Sequence, residues 1–114
     1  MLVVDDEQSM RELLGIMLRQ VGYAVTLADG GETAVQALKS ETFDLVITDL
    51  RMPVMSGPEL IAKLQQDRTY SKIPIVVLAT GAETVDLGVL KVDARVSKPF
   101  MPKTLLNAVG ALIG

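Results

Sequence analysis

Asp44-Leu45-Val46-Ile47-Thr48-Asp49 is a short apolar run that reads as a strand closing on a carboxylate. Working outward, Met1-Leu2-Val3-Val4 has the same form and also runs into acid, at Asp5-Asp6-Glu7. Ile75-Val76-Val77-Leu78-Ala79 follows Pro74 and is apolar throughout, the mark of a central strand covered on both faces. Further strands are expected near Ala24 to Ala28 and at Ala94 to Val96. Five strands alternating with amphipathic segments argue for an α/β fold, a parallel sheet with helices on both sides.

The first helix follows Glu7, with Met10, Leu13, Leu14, Met17, Leu18 and Val21 at the spacing of one face. Ser9 and Glu12 form a capping-box pattern at its start, and Gly22 follows its end. A short helix from about Gly31 to Lys39 is expected, with Asp29 as its cap. Pro53 and Gly57 mark a loop, and Pro58 opens a third helix with Leu60, Ile61 and Leu64 inward. Glu83 to Leu90 reads as a short fourth helix interrupted by Gly88. Pro102 starts the last helix, with a core face of Leu105, Leu106, Val109, Leu112 and Ile113.

The 114 residues suit one domain with a single core. Because the chain starts inside its first strand and Gly114 closes the last helix, it is expected to be trimmed to the domain or lightly truncated at its start. Hydrophobic residues make up 49% and charged residues 22%, which separates the chain from disordered ones, and no apolar run approaches the ~20 residues of a membrane span. A net charge of -3 argues against a direct nucleic-acid surface. With no Cys and no His, thiolate nucleophiles, Ser-His-Asp machinery and His-based zinc sites are excluded. Asp, Glu, Ser, Thr, Tyr and Lys remain as nucleophiles. Absence of Cys is compatible with a cytoplasmic setting.

If the strands ending at Asp5-Asp6 and at Asp49 are neighbours, three carboxylates converge at one sheet edge, which like-charge repulsion makes costly unless a cation or protons neutralise them. Oxygen-only ligands favour Mg²⁺ or a similar hard ion. One more part fits that edge, Lys98 in Arg95-Val96-Ser97-Lys98-Pro99-Phe100. Taken singly, Asp5-Asp6 suits a helix start, Asp49 a solvated loop and Lys98 an ordinary surface position. Their order at successive strand ends is what joins them.

These parts resemble the receiver domain of bacterial two-component response regulators. The resemblance rests on Leu2-Val3-Val4-Asp5-Asp6-Glu7, on Asp44 to Gly57 including Asp49-Leu50-Arg51-Met52-Pro53, and on Ser97-Lys98-Pro99-Phe100, spread in the family's order over almost the whole chain. It implies a flavodoxin-like three-layer sandwich with strand order 2-1-3-4-5 and five helices, the fourth short or irregular. In that order ligands bind beyond the strand ends between strands one and three, a rule for which receivers are themselves a standing example. The family's pattern makes Asp49 the phosphoacceptor, Asp6 a direct Mg²⁺ ligand, Asp5 an acidic partner acting mostly through water, and Arg51 the donor of a backbone carbonyl to the metal. Lys98 would bind the phosphoryl group, with a cis Lys98-Pro99 peptide. Implied partners are a sensor histidine kinase or phosphotransfer protein and an output domain or effector. The domain would not be an enzyme in the ordinary sense, but a phosphoacceptor that assists its own phosphorylation and dephosphorylation.

Two positions depart from the family. The hydroxyl residue expected at the end of strand four is Ala79, with Thr80 beside it as a substitute donor or, paired with Glu83, as a helix cap. The aromatic residue expected on strand five is Arg95. Both fall on the switching surface, so a receiver-like interaction module without phosphorylation-driven switching is the competing reading. A flavin carrier is disfavoured because Asp5-Asp6-Glu7 would repel a phosphate without metal. An aspartate-based phosphatase would want an acid at position 51, which is Arg51.

Overall fold

The computed structural model describes residues 1–50, 56–80, 92–98 and 100–113. In chain order it contains β1 (Leu2–Val4), α1 (Gln8–Gln20), β2 (Thr26–Ala28), α2 (Gly31–Ser40), β3 (Val46–Asp49), α3 (Gly57–Gln66), β4 (Ile75–Thr80), β5 (Ala94–Lys98) and α4 (Pro102–Ile113). All strand pairs are parallel, and the sheet order is β2-β1-β3-β4-β5. The order and the three layers are those implied by the sequence. Four helices stand among the described residues. The helix expected at Glu83 to Leu90 lies outside them, as do Arg51, Pro53, Gly88 and the Lys98-Pro99 peptide.

Strand alternation sends residues to two separate cores. Leu2, Val4, Val46, Val77 and Ala79 pack with Ala34 and Leu38 of α2 and with Leu60, Ile61 and Leu64 of α3. Val3, Ile47, Val76, Leu78 and Val96 pack on the other side with Leu14 and Leu18 of α1 and with Leu105 and Val109 of α4. Covering both faces explains why the central strands are apolar without alternation. Each buried aliphatic side chain contributes about 1.5–3 kcal/mol relative to exposure. Leu106, Leu112 and Ile113 are partly buried and pack against the same core, as the α4 pattern predicts.

Several local expectations are corrected. On α1, Met10 and Met17 pack on the core, but Leu13 is 48% and Val21 53% exposed. Successive helical residues turn by about 100°, so Leu13 lies at the edge of the stripe centred on Leu14 and Leu18. Val21 is past the last helical residue, at the C-cap. The Ser9–Glu12 capping box does not form. Because the helix starts at Gln8, with Glu7 as N-cap, Ser9 is already inside the first turn and its hydroxyl donates to Glu7 Oε1. Asp29 is not a cap either: Gly30 holds that position, and Asp29 Oδ1 accepts from the Thr33 hydroxyl at 2.6 Å.

A side-chain N-cap stands instead at α3, where Ser56 Oγ accepts from Glu59 N and donates to Glu59 Oε1, with Pro58 in the first turn. Gly22 follows α1 at φ 101°, a left-handed conformation that side-chain-bearing residues avoid. β5 extends past the expected Val96 to Lys98, because Ser97 and Lys98 continue the pairing with Ala79 and Thr80.

The facing of α1 gives a direct test. Leu14→Ala should cost about 2–5 kcal/mol in urea unfolding, whereas the adjacent Leu13→Ala should stay within about 0.5 kcal/mol of wild type. Equal losses at the two positions would contradict the orientation described.

Candidate functional site at the carboxyl ends of β1, β3 and β5

The register sets the site. Val4 pairs with Thr48, so the next residues, Asp5 and Asp49, leave neighbouring strands at the same level, about 4.8 Å apart in the hydrogen-bonding direction. Asp6 follows on the turn into α1. Ligand oxygens of Asp5, Asp6 and Asp49 all lie within 4.8 Å of one another. Asp5 is fully buried and Asp49 nearly so, while Asp6 is exposed.

Lys98 comes from two strands away. Asp49 is level with Leu78, Leu78 with Val96, and Lys98 stands two residues further on β5, on the same face by alternation. Its long side chain crosses the width of β4. Nζ then reaches 3.2 Å from Asp49 Oδ2 and 3.5 Å from Asp5 Oδ2. Burial alone would lower the Lys98 pKa, but the Asp5 and Asp49 carboxylates outweigh it and raise the group above its ordinary 10.5. The lysine is therefore an ammonium ion set between two carboxylates.

The remaining bonds hold Asp5 in place and leave one atom over. Asp5 Oδ1 accepts from the Glu7 N–H at 2.9 Å, and the Asp5 carbonyl accepts from Arg11 Nη1 at 2.9 Å. Asp5 Oδ2 is buried with no hydrogen-bond partner among the described residues. Its contact with Lys98 is ionic and long. A buried carboxylate oxygen left in this state is costly. Three carboxylates against one ammonium, all ligands oxygen, make a donor set that fits a hard divalent cation.

The structure thus brings together Asp5, Asp6, Asp49 and Lys98, as the sequence anticipates. Arg51 lies outside the described residues. Thr80 is the last residue of β4, opposite Lys98 in a regular register with no bulge through residues 76–80. The helix-cap reading of Thr80 turns on Glu83, which lies outside the described residues. Ala79 is buried on the α2–α3 side, and Arg95 is exposed. Two contributors went unnoticed in the sequence. Arg11 sits six residues after Asp5, one turn into α1, and Thr48 is a buried hydroxyl that donates to the Asp49 carbonyl at 3.0 Å.

The ion pairs carry a pH signature. A raised lysine pKa means stabilisation fully present below pH 10.5 and lost as pH rises through the higher folded-state value. In EDTA, Lys98→Met should cost on the order of 2 kcal/mol at pH 8, since it leaves two buried carboxylates without their counter-charge. The gap to wild type should narrow in alkaline solution beyond the ordinary lysine range. Urea unfolding of both proteins at pH 8 to 11.5 measures this, and no gap at pH 8 would contradict the assignment.

Comparison with known proteins agrees with this geometry. The family pattern described as response regulator receiver domain matches residues 1–110. The DNA-binding response regulator MtrA of Mycolicibacterium smegmatis is 40% identical over 113 residues, covering 96% of this chain and 48% of that protein. The chain spans about half the length of such curated relatives. Among solved structures, the chemotaxis response regulator CheY4 of Vibrio cholerae superposes with a TM-score of 0.91 at 31% identity, covering 98% of this chain and 96% of that one. Response regulator protein TrrA of Thermotoga maritima, solved in complex with Mg(2+)-BeF, gives a TM-score of 0.88 at 34% identity, with 98% and 96% coverage. Since the family match runs through both acidic strand ends and the lysine, the chain belongs to the response regulator receiver domain family.

Proposed function

We propose that residues 1–114 form one receiver domain that accepts a phosphoryl group on Asp49 and relays a signal to a partner or attached output domain. The observation that carries the proposal is the convergence of Asp5, Asp6 and Asp49 at one sheet edge with Lys98 Nζ 3.2 Å from Asp49 Oδ2. In the transfer, an Asp49 carboxylate oxygen attacks phosphorus as the bond to the donor breaks. From a phosphohistidine the departing group is the imidazole, which keeps the electron pair of the P–N bond. The chain has no histidine, so the phosphoryl group comes from a sensor histidine kinase, a phosphotransfer protein or a small acyl phosphate.

The residues divide this work. Lys98 supplies a point charge that can pass from the Asp49 carboxylate to a phosphoryl oxygen. Asp6, Asp49 and the Arg51 carbonyl would hold Mg²⁺, with Asp5 acting mostly through water. When bound, the ion neutralises the carboxylates and the charge on the phosphoryl oxygens. Ala79 has no hydroxyl to offer, and Thr80, opposite Lys98 in the register, is the next one along β4. The domain works in the cytoplasm and is a phosphoacceptor rather than a conventional enzyme. DNA binding, the activity named for the longer relative MtrA, would belong to an output domain.

Acetyl phosphate with Mg²⁺ should add one phosphoryl group to the intact protein by mass spectrometry, and EDTA should prevent it. Asp49→Asn should take no label while unfolding as a native protein does. Wild-type labelling of Asp49→Asn would remove the assignment.

A further inference from the structure

The Asp49 carboxylate is only as well placed as its own main chain, and that main chain is held from three sides. Leu50 N–H donates to Leu78 O at 3.2 Å, tying the exit of β3 to β4. The fully buried Thr48 hydroxyl donates to the Asp49 carbonyl at 3.0 Å. From above, the Gly57 N–H donates to Leu50 O at 3.0 Å, which joins the first residue of α3 to the residue after Asp49.

The approach at Gly57 leaves no room for a side chain. A Cβ there would stand 2.3 Å from Asp49 O and 2.8 Å from Leu50 Cα. Both are backbone atoms of the segment that carries Asp49, so no flexible side chain can swing aside. Gly57 lies in an α-helix, a conformation open to every L-residue. The position therefore requires space and not glycine's backbone freedom. Restoring ordinary contact takes roughly 1 Å of movement or more. α3 resists moving because Leu60, Ile61 and Leu64 lock it into the core.

We infer that Thr48 and Gly57 form a clamp on the Asp49–Leu50 peptide and act as positioning residues for the phosphoacceptor. Thr48 fixes the Asp49 carbonyl from the sheet side, and Gly57 seats the first turn of α3 against it. Together they set where the Asp49 carboxylate stands relative to Lys98, 3.2 Å away, and to Asp5. Neither residue touches the reacting atoms. The inference rests on Asp49 being the phosphoacceptor.

The test measures two quantities on each variant, the rate of labelling by acetyl phosphate with Mg²⁺ and the affinity for beryllofluoride with Mg²⁺ by fluorine NMR titration. Gly57→Ala should lose rate on the order of 100-fold, the effect of misplacing a reacting group by about 1 Å, and should bind beryllofluoride more weakly. Leu64→Val, a control that weakens the same helix's core contacts away from the site, should keep both readouts within about twofold of wild type, so that lost stability alone does not explain the loss. Thr48→Val removes the hydroxyl at nearly constant volume and should slow labelling about tenfold, with Thr48→Ser restoring it. This second pair carries the test if Gly57→Ala does not fold. Wild-type rate and affinity in a folded Gly57→Ala, or in Thr48→Val, would overturn the clamp. A wild type that takes no label removes the phosphoacceptor reading itself, and the clamp with it.

Discussion

Mutual repulsion of Asp5, Asp6 and Asp49 is the constraint around which this structure is arranged. Like charges within 4.8 Å of one another are unfavourable in any partly dry environment, and two of the three are buried. Lys98 offsets part of the charge by reaching across a whole strand. It leaves Asp5 Oδ2 without a hydrogen bond among the described residues. Crowded in this way, the carboxylates carry an electrostatic load of the kind that a hard divalent cation relieves.

The fold's task is to impose that crowding on a chain that would otherwise avoid it. β1, β3 and β4 are covered on both faces, so two cores fix their register independently. A shift of one residue in β3 would exchange Ile47 and Thr48 between the two covered faces, placing the hydroxyl where the isoleucine packs and moving Asp49 off the level of Asp5. Hydrophobic burial therefore determines where Asp5 and Asp49 stand, and the order β2-β1-β3 makes them neighbours. Stability stored in the two cores is what holds the acidic edge together.

The parts of this arrangement carried by local chemistry were legible in the sequence. Apolar runs ending in Asp, the stripes of α3 and α4, and Pro58 and Gly22 each announce themselves through backbone or packing rules that need no partner. Strand order came from family resemblance, since periodicity says nothing about which strands touch. Capping shows the limit of a local pattern. Ser-x-x-Glu occurs at 9–12 and at 56–59, and only the second caps a helix. At the first, Asp5 accepts from Glu7 N–H and the helix begins before Ser9. Leu13 fits the helical spacing yet stands outside the buried stripe, because spacing does not fix how far the sheet beneath reaches around the helix. Thr48 and Arg11 look ordinary in the chain and gain meaning from the register that brings them to Asp49 and Asp5.

Electrostatic load at the acidic edge is tested most directly by the unfolding free energy of wild type and Asp5→Asn in EDTA at neutral pH. The substitution keeps the shape and an acceptor for the Glu7 N–H while removing one buried charge. The account predicts that the metal-free variant is more stable than wild type, by on the order of 1 kcal/mol. An Asp5→Asn protein equal to or less stable than wild type in EDTA would contradict it.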